Sequence, residues 1–177
     1  MMTEPLLDVH CINLLFSLRL IMNSDGEMPT PSEPIEEKLL FLQENLSNFV
    51  KQYNLPIIES ALVISKYINI LCAELVKKAS LEGERLPTEI TEPWPIEGDG
   101  PTPKISDFPL EKLMQNIDQD RMDIFDTIIR TIINGSEIPF VNAIIVLRDW
   151  EKVIRTQLAK STSPGHLFSP LELKENF

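Results

Sequence analysis

The chain has 177 residues, 43% of them hydrophobic and 24% charged, which is enough for one domain with a real hydrophobic core. Its net charge of −11 argues against strong non-specific binding of the whole surface to nucleic acid or anionic membrane, while leaving room for a small basic patch. The two cysteines, Cys11 and Cys72, lie inside apolar helical patterns. That excludes a secreted disulfide scaffold and reads as two reduced, buried thiols in a cytoplasmic protein.

In chain order, the pattern predicts five helices separated by proline-rich breaks. The first spans about Pro5 to Asn23. Leu6 to Met22 is strongly apolar, but Glu4 and Asp8 stand where a signal peptide would carry Lys or Arg. Asp8, His10, Asn13 and Arg19 interrupt the run, and it is short for a membrane span. It reads as a helix covered on most sides, by the rest of the domain or by another subunit. Residues 24–34 are a loop, with Asp25-Gly26 as a turn signal and Pro29, Pro31 and Pro34 opposing regular helix. The second helix spans about Ile35 to Tyr53, with Leu39, Leu42, Leu46, Phe49, Val50 and Tyr53 on its buried face. Asn54-Leu55-Pro56 ends it. The third spans about Ile57 to Leu81 on a seam of Ile57, Ala61, Ile64, Ile68, Leu71, Cys72 and Leu75.

Residues 83–109 form an acidic loop with six prolines, a spacing that predicts no helix. A loop this long in a compact domain is functional or disordered. Trp94 sits inside it between two prolines and is expected to dock, on this domain or on a partner. The fourth helical block spans about Leu110 to Asn134, with a break expected around Asp118 to Asp120 and Asn134-Gly135 as its stop. Ser136 is the expected N-cap of the fifth helix, with Pro139 in its first turn. Phe140 to Leu147 is apolar on nearly all sides and is expected at the centre of the core. Residues 161–177 are a tail with enough apolar side chains to dock, Phe168 among them.

Catalytic chemistry needs a base, a nucleophile or a metal site. His10 and His166 lie near opposite ends of the chain, without the helical spacing of a zinc pair. Asp118, Asp120, Asp123 and Asp126 are the densest carboxylates, and Asp118-x-Asp120 matches the start of a calcium loop. The glycine and the terminal glutamate of such a loop are missing at the required offsets. No catalytic residue, metal site or cofactor is therefore assigned.

The strongest clue to a partner is a basic stripe. Arg148, Lys152 and Arg155 recur at i, i+4 and i+7 on one face of the fifth helix, with Lys160 loosely extending it. Beside it runs an apolar seam through Ile144, Leu147, Trp150, Ile154 and Leu158. A solvated face, with Glu151 pairing to Arg155 and Asp149 to Lys152, explains the stripe as well.

Over about Ile35 to Lys160, a small helical bundle with a basic stripe on one helix resembles the small helical subunits of multi-subunit CRISPR effector complexes, which serve antiviral defence. The resemblance implies packing along a guide RNA, with Arg148, Lys152, Arg155 and Lys160 on nucleic-acid phosphates. The expectation is thus a single all-α domain, a bundle of about five helices with a long proline-rich loop between the third and fourth. It acts as a non-catalytic scaffold or interaction subunit of a larger complex. Its partners are other protein subunits and, through the stripe, RNA or DNA backbone; Trp94, Trp150 and Phe168 are the expected protein contacts, and no membrane is involved. Two alternatives stay open: an acidic adaptor or regulatory factor binding protein alone, and a small bundle binding a ligand or metal through Asp118 to Asp126.

Overall fold

The computed structural model describes residues 26–97 and 110–174. The helix expected over Pro5 to Asn23, with His10 and Cys11, lies outside the described residues, as does the middle of the proline-rich loop. Among the described residues there are six α-helices, four of them long, and no strand. They are α1 (Ile35–Tyr53), α2 (Ile57–Leu81), α3 (Thr88–Thr91), α4 (Leu110–Gln115), α5 (Gln119–Gly135) and α6 (Phe140–Ala159), followed by a 3-10 helix (Pro164–Phe168). No described helix is long and apolar enough to cross a membrane.

The long helices follow the apolar periodicity. α1 buries Leu42, Leu46, Phe49 and Val50, spaced so that one stripe faces inward. It starts after Pro34, carries Glu36 and Glu37 in its first turn, and stops where Asn54 adopts a left-handed conformation (φ 47°). Asparagine tolerates that conformation better than most residues. α2 starts directly after Pro56 and buries Ile57, Ala61, Ile64, Ile68 and Leu71. Its seam fades from Cys72 onward, and the last turns project, with Val76 and Leu81 exposed. α5 buries Phe125, Ile128, Ile129, Ile132 and Ile133, and α6 buries Ala143, Ile144, Leu147, Trp150 and Ile154.

α2 packs most extensively on α6, α1 packs on α5 and α6, and α5 also touches α2. Phe49 stacks on Phe125 across the α1–α5 contact, with ring centroids 5.4 Å apart. The chain after α6 docks back. Leu167 joins Ile58 and Leu113 in a small second core, with Phe168 packed at its edge. The Ile57 amide donates to the Ser169 carbonyl at 3.0 Å, and the Leu171 amide to the Leu55 carbonyl at 2.8 Å.

Four expectations need correction. A single helical turn, α3, forms within the proline-rich segment, between Pro87 and Pro93. Proline at the position preceding a helix costs no hydrogen bond, so the prolines there frame a turn rather than forbid one. Ser136 does not cap α6; it is the C-cap of α5, and Pro139 precedes α6 with no side-chain cap. The left-handed residue of this connection is Glu137 (φ 49°), while at Gly135 a Cβ would meet Met28 Cε at 2.5 Å, the end of a flexible side chain that can shift aside. Lastly, Phe140 to Leu147 is not wholly central, since Val141 and Ile145, one turn apart, are 39% and 43% exposed.

Between α2 and α5 lies a buried ion pair. Glu59 is fully buried and accepts from Arg121 Nε and Nη2, both at 2.7 Å, and from the Asp118 amide at 3.1 Å. This bidentate contact holds the Arg121 guanidinium still higher than its ordinary range. Arg121→Met leaves a buried carboxylate without its counter-charge and is expected to cost roughly 3 kcal/mol in urea unfolding. Glu59→Gln added to Arg121→Met should recover part of that loss. A double variant no more stable than the single would show that the pair does not set the balance.

Candidate interaction surface on the last long helix

The expected basic stripe does not lie open. Arg148 is 3% exposed. Its Nε and Nη2 donate to the Ile90 carbonyl at 3.3 and 3.1 Å, and its Nη1 to Glu151 Oε2 at 2.7 Å. The Cys72 thiol donates to the same carbonyl at 3.4 Å and lies 3.9 Å from Arg148 Nη2. Carbonyls at the end of a helical turn have no partner within the helix. Ile90 stands near the end of the four-residue α3, so its carbonyl is open to donors from α2 and α6. Arg148 is therefore absorbed in joining α3 to α6, and Glu151 pairs with Arg148, not with Arg155 as the solvated-face reading had it.

Arg155 repeats the arrangement two turns later. Its Nη1 donates to the Trp94 carbonyl at 2.5 Å. Trp94 is half-buried, and its indole donates to the Glu89 carbonyl at 2.9 Å. The two strongest sequence clues, the stripe and the tryptophan of the proline-rich segment, are thus two sides of one internal contact. Trp150 is fully buried and donates to Gln43 Oε1 at 2.7 Å, so it belongs to the core and presents nothing to a partner on this surface. Phe168 is half-buried against the second core.

Lys152 and Lys160 are exposed. They line a cleft of about 550 Å³ together with Lys174 of the tail, and Glu97, Asp149 and Glu172 stand around the same cleft. Val153 and Leu173 contribute its apolar part. The tail wall is fixed by Gln157, whose Nε2 donates to the Glu172 carbonyl at 2.6 Å while its Oε1 accepts from the Glu172 amide at 3.0 Å. A side-chain amide used in both directions mimics a backbone pair, so this wall is held as a strand neighbour would hold it. Lys174, Glu97 and Glu172 carry no sequence signal of this role, because they meet α6 only after the chain folds back.

The four aspartates diverge. Asp118 caps α5 by accepting from the Arg121 amide at 3.0 Å, and Asp123 accepts from Gln119 Nε2 at 2.8 Å. Asp120 is exposed, and Asp126 faces α2, where it accepts from Lys66 Nζ and from the Tyr67 hydroxyl at 3.1 Å. Among the described residues no three potential metal ligands come together. His166 is exposed, with Nδ1 accepting from the Thr162 amide at 3.1 Å.

Burial pushes the Tyr67 phenol well above its ordinary value, and the Asp126 carboxylate adds to the shift by charge and by hydrogen bonding. In the unfolded chain the phenol ionises near pH ~10. The fold keeps it neutral beyond that point, so its contribution to stability is complete below about pH 10 and is lost as the pH rises further. Tyr67→Phe should flatten the fall of Tm above pH ~10, at a cost of about 1 kcal/mol near neutrality for the lost hydroxyl bonds. Equal alkaline slopes for the two proteins would refute this.

Arg148→Met is expected to cost about 2–3 kcal/mol, the range for hydrogen bonds to a charged group, and to speed proteolytic cleavage within residues 84–97. Lys152→Met should stay within about 0.5 kcal/mol of the parent. Unchanged cleavage in the Arg148 variant would mean that the guanidinium does not hold α3. No family model, curated protein or solved structure matches this chain, so its surface is read from its own geometry.

Proposed function

We propose that this chain is a non-catalytic interaction subunit that binds another protein of a larger complex through the cleft on α6. The observation that carries the reading is the balance of charge around that cleft. Three lysines and three carboxylates share it, with apolar side chains between them. A polyanion would be attracted by the lysines and repelled by the carboxylates, whereas a protein segment carries both signs and apolar groups. The ionic groups Glu59, Arg121 and Asp126 join α2 to α5, and Arg148 joins α6 to α3 through the Ile90 carbonyl, which supports a structural use of these charges. A free Cys72 thiol donating to a backbone carbonyl suits a reducing, cytoplasmic setting.

The nucleic-acid reading, with its likeness to CRISPR small subunits, draws on what remains of the stripe at the surface: Lys152 and Lys160, with Lys174 beside them. Three lysines contact at most a few phosphates, and such binding would be weak and strongly salt-dependent. Affinity purification of the tagged chain from its native cell, with protein and RNA both assayed, separates the two. The expected result is a protein partner without RNA, its recovery falling about tenfold with Lys152→Glu and Lys160→Glu together. Nuclease-sensitive RNA lost with the same substitutions would favour the nucleoprotein reading instead.

A further inference from the structure

Residues 84–97 lie across the seam between α2 and α6, with the single turn α3 inside them. The segment carries four glutamates against one arginine, and Leu86, Ile90 and Trp94 recur in it every four residues. Ile90 is buried; Leu86, Thr91, Trp94 and Ile96 are half-buried, and the other nine residues are exposed. Local stability follows buried contact, so a segment anchored by one buried side chain opens well before the bundle does.

Among the described residues, the side-chain donors that reach this segment from elsewhere are Arg148, Arg155 and Cys72. All of them end on two backbone carbonyls, those of Ile90 and Trp94. Every residue offers the same carbonyl, so these donors hold the segment without reading its side chains. Selection rests on the other two features: the charge of Arg148 and Arg155 beneath an acidic segment, and the buried slot that Ile90 fills. Arg148 is 3% exposed, and its Nε and Nη2 lose their carbonyl when the segment lifts, while Nη1 keeps Glu151. A buried donor left unmet is costly, so the vacated seam favours a replacement acceptor.

We propose that the seam between α2 and α6 is a docking site for an acidic segment of another protein with an aliphatic and an aromatic residue four apart, and that residues 84–97 are its internal competitor. The proposal does not rest on the α6 cleft, with which the segment shares Glu97 alone. An internal competitor lowers the affinity of an external one by the fraction of time it holds the site. A fluorescein-labelled peptide of residues 84–97, titrated into the full chain and followed by anisotropy, is the probe. Ile90→Asp in the chain should tighten its binding about tenfold, and Trp94→Ala, at a half-buried site, about threefold, with helical content unchanged. Adding Arg148→Met to the Ile90→Asp chain, or carrying Ile90→Asp in the peptide instead, should abolish the gain. The parent chain gives a reading without substitution: peptide at millimolar concentration should speed exchange of the Glu92 amide, which donates to the Thr88 carbonyl at 2.8 Å, at least threefold. Equal affinity in parent and variants, equal binding of a scrambled peptide, or unchanged exchange at Glu92 would overturn the proposal. A concentration-dependent dimer of the parent that the peptide dissociates would overturn it in favour of exchange between two copies.

Discussion

The contact on which the surface of this protein depends is the Arg148 guanidinium on the Ile90 carbonyl. A buried arginine must satisfy a fork of donors, and a one-turn helix must satisfy carbonyls that it cannot pair itself. Each need answers the other here. The result fastens α3 across α2 and α6, and Arg155 extends the attachment to Trp94. Without it, the face of α6 would be the open basic stripe that a helical wheel suggests. With it, positive charge is drawn inward and the surface becomes the mixed cleft around Lys152 and Lys160.

The other buried charges work in the same way. Glu59 with Arg121, and Asp126 with Tyr67 and Lys66, both bridge α2 to the chain around α5. Apolar contact alone lets two helices slide or rotate against each other at modest cost. A bidentate carboxylate–guanidinium pair does not, because a displaced partner leaves a charge in the interior. These pairs add little net stability over a well-packed apolar alternative, but they fix one arrangement of α2 and α5. The hollow of about 380 Å³ beside them inherits its shape from that arrangement, since Lys66, Tyr67 and Asp126 are among the residues that line it.

Much of the helical scaffold was legible in the sequence. The 3.6-residue spacing of Leu42, Leu46, Phe49 and Val50, and of Ile57, Ala61, Ile64, Ile68 and Leu71, places both helices and their inward faces, and the break before α5 coincides with the Asp118 cap. Periodicity reports which residues share a face, but not what lies on that face. Arg148, Lys152 and Arg155 do share one, yet only a segment sixty residues away decides that Arg148 is buried and Lys152 is not. Glu59 is equally opaque: a carboxylate in the first turn of a helix looks like a favourable dipole contact until Arg121 arrives from α5. The cleft on α6 was half visible, through Lys152 and Lys160, and its other wall was not, because Glu172 and Lys174 reach it by the fold of the tail.

The way the tail closes also orders events in time. Leu55 and Ile57, at the turn from α1 to α2, find their backbone partners in Leu171 and Ser169, more than a hundred residues further along the chain. During synthesis α1 and α2 emerge long before those partners exist, and the turn between them stays incomplete until Ser169 and Leu171 have left the ribosome. Contacts so distant in sequence raise the contact order of an otherwise local, helical fold and slow its final step. The nascent bundle therefore carries the unsealed edge of Ile58 and Leu113 until Leu167 arrives. In that interval it is most exposed to proteases, chaperones and self-association.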